Sequence, residues 1–176
     1  MSEPSRPSGR KRVSAYLADS ILIFAWIGAL TFIGFTWGES LFDGLEGATL
    51  QWAGHAFSFF ALTAPVILYF ALLEASPLQA SLGKAWRRLE LVDASGKRAG
   101  LGRTLLRNAL KFLPWELAHS AIWHVPGQPF VDPVPTFNIG VHVLAISLAC
   151  LYVLSLFRGS GRTPYDLIAG TRVRSR

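Results

Sequence analysis

Cysteine is almost absent from this sequence, and so are the motifs of soluble enzymes. The single cysteine, Cys150, lies within an apolar run, which excludes a disulfide framework and a thiol-based metal site. The chain has no phosphate-binding loop, no HExxH pair and no nucleophile triad, so we expect it not to be an enzyme. Charged residues make up only 16% of the chain, below the roughly 25% typical of soluble domains.

Long uncharged runs take the place of those motifs. They cover residues 20–37, 54–73 and 139–157, and the first extends back over residues 13–19 around a single acid, Asp19. A transmembrane helix needs about 20 mostly apolar residues, and each run approaches or meets that length. The sequence therefore predicts an all-α polytopic membrane protein, folded as a helical bundle.

Basic residues are confined to three segments. Four lie in residues 1–12, eight in residues 74–111 and five after residue 157, which accounts for all 17. By the positive-inside rule these segments, and with them both termini, are cytoplasmic. Basic charge beside apolar runs predicts contacts with anionic lipids on the cytoplasmic side and argues against nucleic acid as a partner.

This orientation requires a fourth membrane segment. The chain must cross an even number of times between its long basic loop and its basic C-terminal tail, yet the obvious span there is residues 139–157. The missing crossing must come from residues 105–125, although these include Lys111, Pro114 and Glu116. A polar segment is tolerated when its polar face is turned into the bundle. We therefore predict four membrane segments, the third polar and either re-entrant or broken at Pro114.

Smaller elements are also predicted outside the spans. Residues 1–12 are rich in Pro, Ser and basic residues, which indicates a disordered cytoplasmic tail before a single membrane domain over residues 13–176. In the long loop, LELVDASGKR at residues 89–98 predicts a short strand that enters a β-turn. Residues 164–170 begin with proline and end with glycine, which predicts a short helix.

Asp19 is a carboxylate inside an apolar span, so it needs a compensating group. A central acid costs about 2.5–3.5 kcal/mol on insertion scales. Arg12 lies two helical turns away, and both side chains tilt the same way along the axis, so they do not easily meet. Arg107, at the inner end of the polar third segment, is the expected partner. The pair of Asp19 and Arg107 then either stabilises the packing of the bundle or belongs to a proton- or cation-binding site.

A second group of polar residues lies in the outer half of the predicted topology, on the third and fourth segments. Glu116 and His119 are three residues apart, a spacing that carboxylate metal sites in helical bundles use. Together with His124 and His142 they form a candidate site for a metal ion or haem. The alternative is that these histidines are interfacial or hydrogen-bonded core residues, in which case no cofactor is expected.

Three stretches of the sequence resemble the RDD family of bacterial membrane proteins: RVSAYLADSILI, LYFALLEAS…SLGKAWRRLELVDASGKRAGLGRTLLRNALKF, and YDLIAGTRV. The arginine and two aspartates that name the family correspond to Arg12, Asp19 and Asp166. The resemblance implies a bacterial inner-membrane protein, and transport or cation/proton exchange is attributed to some members. Asp166 then lies near Arg12 at the inner mouth, or only stabilises the N-terminus of its own short helix.

Three functions remain open. The first is a cation/proton exchanger or transporter that uses Asp19 and acts as a homo-oligomer, because four helices alone barely enclose a pathway. The second is an accessory or assembly subunit of a larger membrane complex. The third is a metal- or haem-binding membrane helper built on Glu116 and the histidines.

Overall fold

The computed structural model describes residues 7–126 and 132–176, without the side chains of residues 38–41, and is mostly helical. In chain order the elements are α1 (Gly9–Leu41), α2 (Gly47–Ser58), a π-helical turn (Phe59–Thr63), α3 (Ala64–Ala75), α4 (Leu82–Trp86), β1 (Leu89–Asp93), α5 (Leu101–Trp123), α6 (Thr136–Ser155), α7 (Pro164–Ile168) and β2 (Thr171–Ser175).

Three stretches of helix in the described part of the chain are long and apolar enough to cross a membrane. They are Gly9–Trp37 in α1, Gly47–Ala75 across α2 and α3, and Thr136–Ser155 in α6. These correspond to the three apolar runs, so the prediction of a helical multi-pass membrane protein is confirmed. The fourth crossing remains a prediction, because α5 is not among the three.

The expected disordered tail over residues 1–12 is wrong in part. Its residues 1–6 lie outside the described residues, but α1 already begins at Gly9. The Ser8 side chain accepts a hydrogen bond from the backbone N–H of Lys11 at 3.3 Å, which satisfies one free donor of the first turn. Arg12 is therefore part of a helix that continues without interruption into the first span.

Helix α5 is unbroken, so of the two alternatives for the third segment the break at Pro114 is wrong. Proline has no N–H, which leaves the carbonyl four residues earlier, that of Leu110, without its helical donor. The hydroxyl of Tyr152, on α6, donates to this carbonyl at 3.1 Å. A neighbouring side chain thus replaces the bond that proline cannot make.

In the span Gly47–Ala75, a side chain likewise replaces the hydrogen bond that an internal proline cannot make. Pro65 cannot donate to the carbonyl of Ala61, and the indole Nε1 of Trp26 donates to it instead at 2.9 Å. The π-helical turn Phe59–Thr63 directly precedes this position. Such one-turn π-helical insertions commonly occur where the regular hydrogen-bond ladder is interrupted.

Two compact units divide the chain. The first consists of Met1–Phe24, Val66–Lys111 and Cys150–Arg176, and the second of Ala25–Pro65 and Phe112–Ala149. These are called the first and second unit below, and each is described by itself.

A two-stranded antiparallel sheet lies in the first unit. The predicted strand and turn are confirmed as β1 and the residues after it, but β1 pairs with β2, with Leu89 opposite Ser175 and Asp93 opposite Thr171. The sequence prediction of a lone β-turn element is therefore incomplete. Leu89 and Leu91 are fully buried and pack with Val173 and Ala15 in a small apolar core.

The short helix predicted from its flanking proline and glycine is confirmed as α7, which directly precedes β2. Its N-cap is Thr163, whose hydroxyl accepts from the backbone N–H of Asp166, while the Asp166 carboxylate accepts from the N–H of Thr163. This reciprocal pair is a capping box. Gly170 has φ +63°, a conformation that glycine adopts without strain, and the chain there turns into β2.

Candidate functional site

Asp19 lies in the first unit and is only 1% exposed. Its Oδ1 accepts hydrogen bonds from the backbone N–H of Gly83 at 2.7 Å and from the Tyr69 hydroxyl at 3.0 Å. Its Oδ2 accepts from the Ser81 hydroxyl at 2.6 Å. Ser81 is the N-cap of α4 and Gly83 lies in its first turn, so neutral donors at a helix N-terminus compensate this carboxylate.

Gly83 permits this close contact between α4 and α1. A Cβ atom on residue 83 would overlap the backbone carbonyl oxygen of Ala15 and would lie 2.9 Å from Oδ2 of Asp19. Any side chain here would therefore push α4 away from the carboxylate. The glycine in SLGK thus has a steric role that the sequence alone did not reveal.

Arg107 is not the partner of Asp19, so that prediction is wrong. Its guanidinium is 1% exposed and donates through Nε to Oδ1 of Asp166 at 2.8 Å. Its Nη1 lies 3.2 Å from both carboxylate oxygens of Glu74. Because the start of α4 supplies the donors to Asp19, the arginine is left to compensate two other buried acids.

Glu74 is fully buried at the end of α3, and the sequence reasoning missed it. Besides Arg107, it accepts from Nδ2 of Asn108 at 2.8 Å and forms an ion pair with Lys84. One signal pointed to it, because a lone acid follows the second apolar run directly. Asp19 has the corresponding position at the opposite end of the first run, where it directly precedes the uncharged residues.

Asp166 connects α7 to α1 and α5. Nη2 of Arg12 lies 2.8 Å from its Oδ2, and Arg12 also donates to the carbonyl of Gly161. Burial alone raises the pKa of the Asp166 carboxyl, but the charges of Arg107 and Arg12 outweigh it and hold that pKa below its usual range. Asp166 therefore makes the contact with Arg12 and also caps its own helix.

Two separate groups thus replace the four-residue ion network that the sequence suggested. One is a chain of buried ion pairs, called the Arg107 network here: Arg12, Asp166, Arg107, Glu74 and Lys84. The other is Asp19 with its neutral donors. In the first, each carboxylate is paired directly with cations. In the second, the hydrogen-bond donors are neutral, although the charges of Lys84 and Lys111 are close enough to act on Asp19.

The structure does not bring together the residues predicted as metal or haem ligands: Glu116, His119, His124 and His142. Among the residues it describes, no three His, Cys, Asp or Glu side chains are placed to hold a metal ion. Glu116 instead lies 2.8 Å from Nε2 of His55 and accepts from the Thr63 hydroxyl, also at 2.8 Å. His124 and His142 each bond through Nδ1 to the backbone carbonyl four residues earlier.

The sequence model of the RDD family matches residues 6–170, nearly the whole chain. The chain belongs to the RDD family. This membership confirms the resemblance drawn from Arg12, Asp19 and Asp166, and with the three candidate spans it identifies a multi-pass membrane protein of that family. No curated protein and no solved structure matches the chain.

Proposed function

We propose that this RDD-family protein exchanges a monovalent cation for protons across the bacterial inner membrane, as a homo-oligomer, with Asp19 as the coupling carboxylate. The observation that supports this most is the combination of burial in a candidate span with neutral hydrogen-bond donors. The direct hydrogen-bond donors of this carboxylate are two hydroxyls and one backbone N–H rather than a guanidinium or an ammonium group. Intramembrane carboxylates commonly mark ion and proton pathways.

Oxygen atoms around Asp19 suit a hard cation. The hydroxyls of Tyr69 and Ser81 donate to the carboxylate, and each keeps lone pairs that a rotated hydroxyl can offer to a cation. The backbone carbonyl of Ala15 borders the same place, beside Gly83. Hard cations prefer such oxygen ligands. Protonation of Asp19 and binding of a cation would therefore compete for the same atoms.

The proposal includes the orientation of the chain in the membrane and its contacts with lipid and with neighbouring copies. The confinement of all basic residues to three segments supports cytoplasmic N- and C-termini. Large apolar side chains on the candidate spans are exposed, among them Phe24, Phe35 and Ile146, which suits contact with lipid or with neighbouring copies. The exposure of Arg88 and Arg98 supports contacts with anionic lipid headgroups.

Proton flux in liposomes under imposed Na⁺, K⁺ or Li⁺ gradients tests this function. We expect flux with the native protein and none with Asp19→Asn, because the amide keeps the size of the carboxylate but cannot bind a proton. Asp43→Asn, which neutralises an exposed acid outside the helices, is the matched control and should transport normally. Undiminished flux with Asp19→Asn would refute the role of this carboxylate.

A variant of a ligand gives a finer test. Ser81→Ala leaves the carboxylate in place but removes one of its hydroxyl partners. We expect a higher cation concentration for half-maximal flux, with the maximal rate less affected. Circular dichroism and gel filtration establish that each variant folds before its flux is compared.

A second candidate function is an accessory subunit of a larger membrane complex. It is favoured by large apolar side chains that are exposed outside the candidate spans, on α4 and α7: Leu82, Trp86, Leu167 and Ile168. Exposed apolar patches often mark binding surfaces for other proteins. Gentle extraction should then yield a partner in fixed stoichiometry, and Trp86→Ala should weaken that association. A silent native protein in liposomes together with such a partner would favour this function over exchange.

A further inference from the structure

A polar cluster in the second unit has no part in the Asp19 site. Its centre is Glu116 on α5, whose Oε1 lies 2.8 Å from Nε2 of His55 on α2 and whose Oε2 accepts from Thr63 at 2.8 Å. The side chains of His55 and Glu116 are 17% and 23% exposed. The ring of His124 lies next to them, with its centroid 5.2 Å from that of His55.

Charge balance in this unit is unusual. Residues 25–65 and 112–149 contain no lysine and no arginine, and Glu116 is the one acid in the helical part of α2, α5 and α6 within the unit. A partly buried carboxylate is costly unless it is paired with a cation or neutralised. Within the unit's own sequence, a proton held by histidine or by Glu116 itself is the only side-chain source of that neutralisation.

The hydrogen bonds of His124 determine which of its nitrogens carries a proton. Its Nδ1 lies 2.9 Å from the backbone carbonyl of Ser120, which can only accept, so Nδ1 carries the hydrogen. In the neutral ring, Nε2 is then an acceptor with a free lone pair. Among the residues that the structure describes, this buried Nε2 has no hydrogen-bond partner, and neither has Nδ1 of His119. A buried acceptor without a partner is unfavourable, and its lone pair is available to a proton donor that comes within reach.

The surroundings of the His124 ring suit a positive charge. The Trp52 ring lies 4.5 Å from that of His124, centroid to centroid. Aromatic rings attract cations within about 6 Å of their faces. The other ionisable groups on the elements of this unit are His119 on α5 and His142 on α6, and α1 contributes none over residues 25–37.

We propose that His55, Glu116 and His124 form a proton-binding site, in which the His55–Glu116 pair takes up one proton and Nε2 of His124 is the neighbouring acceptor to which it can pass. Only a proton moves, so no covalent bond between heavy atoms changes. The proposal does not rest on Asp19, and it stands or falls separately from cation exchange.

Nitrogen-15 NMR of the full-length protein in detergent, labelled only at histidine, tests this proposal. The chain has four histidines, so each ring can be assigned by its own His→Gln variant. We expect the ring resonances of His55 and His124 to respond to pH as the cluster takes up its proton. Glu116→Gln should change the pH response of His55 relative to the native protein, because its hydrogen-bonded carboxylate partner is gone.

His142 is the internal control, since its Nδ1 is bonded to a backbone carbonyl in the same way as that of His124. Its resonances should behave in Glu116→Gln as they do in the native protein. A His55 resonance in the native protein that does not change with pH would overturn the proposal without any variant. Equal shifts of His55 and His142 would also overturn it, because they would indicate a general change of the protein. The titration of His55 should persist in Asp19→Asn.

Discussion

Arg107 compensates two buried carboxylates at once, so Arg107→Met should destabilise the protein strongly. The variant keeps the apolar volume of the side chain but removes the bonds to Asp166 and Glu74. Breaking a buried pair by removing one partner costs about 3–5 kcal/mol. Asp166 keeps Arg12, and Glu74 keeps Lys84, so each acid retains one cation. We therefore expect the lower end of that range, about 3 kcal/mol.

Thermal unfolding in detergent, followed by far-UV circular dichroism, measures this loss. For a chain of this length 1 kcal/mol corresponds to a Tm shift of about 2–4 °C, so Tm should fall by about 6–12 °C. Arg103→Met is the matched control on the same helix, four residues earlier. The Arg103 side chain is 53% exposed and lies 3.8 Å from Asp93. Such an exposed pair contributes little to stability, so Tm should change far less than in Arg107→Met. Equal losses for the two variants would refute the assignment of Arg107 as the central cation.

The same variant should change the response to acid. The pKa of Asp166 in the folded protein lies below its ordinary 3.8, because the charges of Arg107 and Arg12 outweigh the effect of burial. A lowered folded-state pKa contributes stability that is present above the unfolded value and is lost as the pH falls through the folded value. In Arg107→Met this pKa rises towards 3.8, so the contribution shrinks. The stability difference between native protein and variant should therefore narrow below pH 3.8, and a constant difference would contradict this account.

Two further variants test the packing of the membrane helices. Tyr152→Phe removes the donor to the Leu110 carbonyl and should cost about 0.5–1.5 kcal/mol in the same unfolding assay, whereas an unchanged Tm would show that the proline in α5 needs no such donor. Gly54→Ala places a Cβ against the Trp123 ring, 2.6 Å from Cε3, and should cost about 1–3 kcal/mol. Gly28→Ala, where a Cβ meets nothing within 4 Å, should cause no loss, and a similar loss for both would contradict a specific contact with Trp123.

Much of the fold could be read from local patterns. The three apolar runs predicted the three candidate spans, and the strand and turn of LELVDASGKR appear as β1 and the turn after it. The proline and glycine around Asp166 predicted α7. These features depend on length, hydropathy and backbone preference, which act within a few neighbouring residues. The alternation of TRVRS, the sequence of β2, was the available sign of a second strand, but its pairing with β1 is non-local.

The sites could be predicted only as a set of residue types. The sequence identified Arg12, Asp19 and Asp166 through the family motifs, and Glu116 through its spacing to His119. The contacts of these residues differ from the predicted ones, since Glu116 contacts His55 and Arg107 contacts Glu74. Charge pairing depends on which side chains come within about 4 Å, and helix spacing along one chain does not determine contacts between helices.

The sequence by itself therefore determined that this is a helical membrane protein of the RDD family with buried charges near the ends of its spans. Tertiary structure decided how those charges are compensated. The start of α4 reaches Asp19 because residue 83 has no side chain to prevent it, and Arg107 is thereby left for two other acids. The physical reason is that a buried carboxylate must be satisfied by some donor. Which donor it finds depends on the distances and steric limits that exist only in the packed fold.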